Sequence, residues 1–278
     1  MALSPSQTRA LLASLEHHPR KRLGQNFLID GNIVRKSLQL AEIREGDTVV
    51  EVGPGLGTLT KALLEAGCHV HAVEVDPALC AFLHENLQPE FSQRLSLLEG
   101  DAVKHPRAGL SLRTGRFKVV ANLPYAITTP WLEAVLQCPL PAEMVLMMQK
   151  EAADRITAQP GSKAYGAISI FVAAAYEKAG VHNVARSCFY PVPGVDSILL
   201  HLRRRTEPVL FHREARDRIR RLFTQRRKQI GSLLAKEASL QEWLERLPEF
   251  GASRASRPEE IPLRAWLELH DRLQIRGT

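Results

Sequence analysis

The chain is poor in cysteine and aromatic residues and has no long apolar run. Its four cysteines, Cys68, Cys80, Cys138 and Cys188, are scattered through 278 residues without a C-x-x-C pair or Cys/His metal-ligand spacing. That pattern excludes a disulfide framework and a zinc module, and reads as free thiols in a reducing cytoplasm. The most apolar segment, Ala167–Tyr176, is far shorter than the roughly 20 residues that span a bilayer. No apolar core suited to a signal peptide precedes the first charged residues. The expectation is a cytoplasmic protein with no membrane segment and no metal. No Ser-His-Asp or Cys-His arrangement presents itself either, and His17, His18, His105 and His182 fall in segments that read as exposed.

What is present is an ordinary globular composition, 45% hydrophobic and 24% charged, long enough for one large domain and a smaller one. The net charge of +7 is not evenly spread. Residues 1–201 are balanced, with 19 basic and 19 acidic side chains, whereas residues 202–278 carry 18 against 11. The surplus is densest at 203–228, with 11 basic and 3 acidic residues, and implies a polyanionic partner. The alternative is a solvated charged helix.

From Thr48 onward, apolar strand-like runs alternate with helical segments: "TVVEVG", "GTLTKALLEAG", "HVHAVEV", "PALCAFLHENL", "LSLLEGD", "FKVVAN", "TPWLEAVL" and "AEMVLMMQ". Alternation of this kind predicts an α/β fold, a parallel Rossmann-like sheet with helices on both faces and a ligand beyond the strand ends. After Arg205 only helical patterns remain, including "REARDRIRRLFTQRRKQIGSLLAKE". The expected division is therefore residues 1–46 as an N-terminal helix and loop, 47–205 as the Rossmann-like domain, and 206–278 as a small, basic, all-helical domain.

Unusual polar residues collect at the predicted strand ends. Gly53, Gly55 and Gly57 join a strand to a helix, where they let a ligand approach the backbone and the free N–H groups of the helix start. The spacing misses G-x-G-x-x-G by one position, and Glu51 would repel a pyrophosphate but suits an ammonium. Glu74 ends the second strand about twenty residues on, where a carboxylate can accept both ribose hydroxyls. Asp76, followed by Pro77, reads as a helix N-cap. Asp101 ends the third strand and could accept an adenine amine. Ammonium, ribose and adenine together describe S-adenosylmethionine better than a dinucleotide.

The fourth strand ends in "NLPY", residues 122–125. The Asn122 side-chain oxygen, with the carbonyl of Leu123 or Pro124, could accept hydrogen bonds from an exocyclic adenine amine. These bonds strengthen as positive charge develops on that nitrogen. Pro124 stiffens the loop and Tyr125 offers a stacking face. A second aromatic pair, Phe189 and Tyr190 in "CFYPVPGVDS", precedes prolines that would hold a ring over the cleft.

The stretches "KRLGQNFLID", "VVEVGPGLGTLT", "AVEVD", "LEGDA", "VVANLPY", "FYPVPGVDS" and "FTQRRK" occur in this order between residue 21 and about 230. In them the chain resembles the ribosomal RNA adenine dimethyltransferase family, in particular its bacterial KsgA branch, which methylates small-subunit rRNA. The resemblance implies that S-adenosylmethionine contacts Asn26, Leu28, Gly53, Glu74, Asp101 and Asn122. It also implies that the N-terminal loop folds over the cofactor, with Lys21 and Arg22 touching RNA. Phosphate contacts are expected from Arg220, Arg221, Arg226, Arg227 and Lys228. The implied reaction is dimethylation at N6 of two adjacent adenosines in a hairpin loop near the 3′ end of 16S rRNA. The implied substrate is a 30S assembly intermediate, and the enzyme is expected to be a monomer. The competing readings are a 23S rRNA dimethyltransferase, a DNA adenine methyltransferase, a non-catalytic assembly factor and a dinucleotide-dependent oxidoreductase.

Overall fold

The structure, a computed structural model, describes residues 3–20, 23–111, 113, 115–137 and 139–275. The chain divides into two compact units. One comprises the stretch up to Ala153 together with Lys178–Arg204; the other comprises Asp154–Glu177 and everything from Arg205 onward.

The first unit is built on strands β1 (Phe27–Leu28), β2 (Thr48–Val52), β3 (His69–Glu74), β4 (Leu95–Glu99), β5 (Lys118–Asn122), β6 (Glu143–Gln149), β7 (Tyr176–Val184, whose first two residues belong to the second unit), β8 (Phe189–Tyr190) and β9 (Ser197–Arg204). Seven of them form one sheet in the order β4-β3-β2-β5-β6-β9-β7. The first five are mutually parallel, while β9 runs antiparallel to β6. The central strands read as unbroken apolar runs because helices cover both faces: in β6 every residue from Glu143 to Met148 is buried.

From β2 the chain steps to β3 and β4 on one side and then returns to place β5 on the other side of β2. That reversal opens a crevice at the carboxyl ends of β2 and β5, the usual ligand position in such sheets. The helices flanking it start where the chemistry dictates. Gly57, in the left-handed conformation, opens helix Thr58–Glu65, and Asp76 caps helix Pro77–Asn86 by accepting from the Ala78 N–H at 3.2 Å. Leu59, Leu63, Val70, Leu83, Val120, Val145 and Leu199 lock these helices to the sheet in one buried cluster. Each such side chain contributes about 1.5–3 kcal/mol on burial.

The short strands β1 and β8 pair antiparallel, with Phe27 opposite Tyr190 and Leu28 opposite Phe189. Through them the N-terminal segment is strapped to the "FYPVP" segment.

The second unit is helical, with Trp243 and Trp266 fully buried and their rings 5.8 Å apart. It takes in helix Ala167–Ala175, which precedes the last strands in sequence. The basic stretch is not one continuous helix. Helix Arg213–Thr224 ends before the run Arg226, Arg227 and Lys228, and a turn follows. Beyond that turn the N–H groups of Ile230 and Gly231 donate to the carbonyls of Ser256 and Arg254, and Ile230 is completely buried. Among the described residues, no helix is long and apolar enough to cross a membrane.

Candidate active site

A cavity of about 290 Å³ lies at the switch point, within the first unit. Ten of the residues singled out in the sequence line it: Asn26, Leu28, Glu51, Gly53, Gly55, Glu74, Asp101, Asn122, Pro124 and Tyr125. Backbone geometry brings them together, since all but the first two lie at or just beyond the ends of parallel strands.

Gly53 follows β2 with φ +66°, and a Cβ there would lie 3.2 and 3.3 Å from the ring carbons of Pro124. The glycine loop and the Asn-Leu-Pro-Tyr loop therefore touch, and a side chain at Gly53 would have to push the Pro124 ring aside from a backbone conformation that favours glycine. Gly24, with φ +64°, makes the matching approach from the strap, since a Cβ on it would lie 3.1 Å from the Tyr125 nitrogen.

Glu51 is 2% exposed, and the side-chain donor acting on its carboxyl is the buried Thr60 hydroxyl. Burial pushes its carboxyl up to about 8, opposed by the Thr60 hydroxyl and helped by the neighbouring Glu74 charge. A buried carboxyl in the wall of a cavity, with a neutral hydroxyl as its side-chain donor, is suited to receive a cation or a strong donor. Glu74 is already oriented, because its two oxygens accept from the Gly55 N–H at 3.1 Å and the Asp76 N–H at 3.0 Å. Burial raises its carboxyl too, against the lowering effect of those bonds. Asp101 accepts from the Val103 N–H at 2.8 Å through Oδ1.

Asn122 is held in one orientation. Its Nδ2 donates to the Asn26 carbonyl at 2.9 Å, so Oδ1 remains as the acceptor. The flipped amide would set two oxygens against each other. The Pro124 carbonyl is occupied within its turn by the Ile127 N–H at 3.1 Å. The Tyr125 hydroxyl bonds the Ser197 hydroxyl at 2.6 Å, and burial raises its titration range.

Three expectations need correction. Phe189 does not project over the cleft: its ring is 1% exposed and packs in the core cluster with Leu28 and Leu199. Alternation along β8 sends its neighbour Tyr190 to a second cluster with Leu12, Phe27 and Leu79. His17 is not solvated; it is 5% exposed, and its Nε2 donates to Gln25 Oε1 at 3.2 Å. Asp76 does more than cap a helix, for it also accepts from Gln25 Nε2 at 2.9 Å and lies 3.4 Å from the Arg20 guanidinium. These bonds hold the strap that forms one wall of the cavity. Their only sequence signal is the polar "GQN" following a basic loop.

Of the basic residues, Lys21 and Arg22 lie outside the described residues. Arg221, Arg227 and Lys228 are exposed. Arg226 is half-buried and bonds both Glu259, at 2.6 Å, and the Lys163 carbonyl, at 2.7 Å. Arg220 pairs with Asp217 at 3.2 Å and lies over the Phe171 ring. Cys68, Cys80 and Cys188 are buried free thiols, and Cys138 is outside the described residues.

Comparison with known proteins agrees with this geometry. The family described as ribosomal RNA adenine dimethylase matches residues 16–260. A protein of Opitutus terrae named ribosomal RNA small subunit methyltransferase A is 58% identical over 275 residues, covering 98% of this chain and 99% of its own. Its namesake in Moorella thermoacetica is 44% identical, with 87% and 88% covered. Among solved structures, a dimethyladenosine transferase from Plasmodium falciparum shares the fold with a TM-score of 0.73, at 24% identity, over 91% of this chain and 98% of that one. A family match over most of the chain, joined by relatives this similar over 88% or more of their own length, leaves one conclusion: the chain belongs to the ribosomal RNA adenine dimethylase family.

Proposed function

We infer that the protein dimethylates N6 of two adjacent adenosines near the 3′ end of 16S rRNA, using S-adenosylmethionine as donor. Its substrate is a small-subunit assembly intermediate, on which it acts as a monomer. The observation that carries this reading is the locked Asn122 amide, whose free Oδ1 lies among the cavity residues at the switch point.

When bound, S-adenosylmethionine supplies an electrophilic methyl group on a sulfonium. The residues present fit that donor. The buried Glu51 carboxyl suits its ammonium, the oriented Glu74 carboxylate its ribose hydroxyls, and Asp101 its adenine amine. Asn122 Oδ1 accepts one N6–H of the target adenosine. With the Pro124 carbonyl occupied by Ile127, the Leu123 carbonyl supplies the second acceptor. In the first transfer both acceptors favour the transition state, because the N6–H bonds grow more acidic as the nitrogen gains charge. In the second, one N6–H remains for them, and in each transfer the sulfonium leaves as a thioether and the N6 proton passes to water. Tyr125 stacks on the target base. Asn122 carries no charge to hold a proton, so the reaction relies on positioning more than on a strong base.

In the second unit, Arg221, Arg227 and Lys228 are free to meet phosphates, whereas Arg226 and Arg220 spend part of their charge on Glu259 and Asp217. The deciding experiment is labelled methyl transfer from S-adenosylmethionine to 30S subunits that lack these modifications, followed by mapping of the modified bases. Methylation of 23S rRNA or duplex DNA instead of the 30S particles would overturn the reading. So would binding to 30S particles without any transfer.

A further inference from the structure

The segment "PVPGVDS" is the one motif for which the chemistry above has no use, and its last residue touches the site. Ser197 opens β9, which runs antiparallel to β6 and therefore starts at the sheet edge where β5 and β6 end. In register, Ser197 lies opposite Gln149, and Asn122 opposite Met147. The serine is thus carried to the edge that bears Asn122 by topology, across 75 residues of sequence.

Ser197 is 1% exposed, and its Oγ is 2.6 Å from the Tyr125 hydroxyl. At its other end Tyr125 begins a short turn, Tyr125–Ile127, closed by the Pro124 carbonyl, and Gly24 crowds its backbone nitrogen. The ring is therefore fixed at both ends, at Cα by the turn and at the phenol by the serine. A tyrosine has only two side-chain torsions, so a single bond at the hydroxyl removes most of what freedom the turn leaves.

We propose that Ser197 is a positioning residue for methyl transfer, holding the Tyr125 ring in the plane on which the target adenine stacks. The proposal rests on the reading of Tyr125 as the stacking platform. A ring already ordered pays no immobilisation entropy when the base arrives. Without the serine hydroxyl the phenol loses its buried partner, and the ring samples planes that do not stack. The consequence falls on RNA use and not on the donor, whose contacts with Glu51, Glu74 and Asp101 lie on other strands.

The test is a double-mutant cycle on the full chain, with Ser197→Ala, Tyr125→Phe and the double variant assayed on unmethylated 30S subunits. Transfer by the wild type checks the underlying reading, independently of the cycle. Each single change is expected to lower kcat/KM for 30S about five- to tenfold. The double variant is expected to be no worse than either single, because both remove one bond. The dissociation constant for S-adenosylmethionine should stay within about twofold of wild type in all three, which also reports that the cavity has folded. Multiplicative losses in the double variant would overturn the proposal, as would wild-type kcat/KM in Ser197→Ala. A matching loss of donor affinity would make Ser197 a general structural residue and would overturn it too.

Discussion

Replacing Glu51 by glutamine should stabilise the ligand-free chain and at the same time weaken its hold on the methyl donor. The carboxyl titrates near 8 in the folded chain against an ordinary 4.5, chiefly because it is buried. Between these two values the folded chain keeps a proton that the unfolded chain has released, so raising the pH favours unfolding. Each pH unit costs the folded state about 1.4 kcal/mol. The cost is under about 1 kcal/mol at pH 5, roughly 3 kcal/mol at pH 7 and about 5 kcal/mol above pH 8. Glutamine keeps the shape of the protonated acid and has no charge to desolvate, so it removes this cost. In urea unfolding at pH 5, 6, 7 and 8, the variant's midpoint should lie close to wild type at pH 5. By pH 7 it should exceed wild type by about 1 M or more. Addition of S-adenosylmethionine should raise the wild-type midpoint strongly and the variant's little, since the ammonium has lost its carboxylate. A difference between the two proteins that is the same at pH 5 and pH 8 would refute the assignment of the cost to Glu51 ionisation. Retention of such a cost fits a functional site, where stability is commonly lost to a group the ligand needs.

Other perturbations probe other parts of the site. Asn122→Ala should retain donor binding by calorimetry while methyl transfer falls by about two to three orders of magnitude, the scale seen when one transition-state hydrogen bond is removed. Gly53→Ala must adopt φ +66° and press on Pro124, and its thermal midpoint should fall by an amount equivalent to about 1–2 kcal/mol or more, with donor affinity falling too. Neutralising Arg221, Arg227 and Lys228 together should reduce the salt slope of 30S binding by roughly one unit per residue, measured by filter binding at several salt concentrations. Arg226→Ala should instead lower the stability of the second unit in a melting experiment, because it leaves Glu259 without its partner.

The strand ends were legible in the sequence because they need only local information. An apolar run followed by Gly53, Glu74, Asp101 or Asn122 marks where a buried parallel strand stops, and all parallel strands end on one edge. The sequence by itself therefore determined the α/β class, the strand-end residues that line the cavity and the loop that bears Asn122. Tertiary structure alone decided what depends on partners distant in the chain. Pairing of β8 with β1 turned Phe189 inward, although its neighbour Tyr190 has the same sequence context. Asp76 gathered Gln25 and Arg20 from a basic loop some fifty residues away, with His17 entering through Gln25. Antiparallel β9 delivered Ser197 to Tyr125. Helix Ala167–Ala175 joined the second unit although strands follow it in sequence. In each case the residue type was ordinary and its role came from what it touched. Contacts across many residues of chain are chosen by the packing of whole elements, and no local pattern records them.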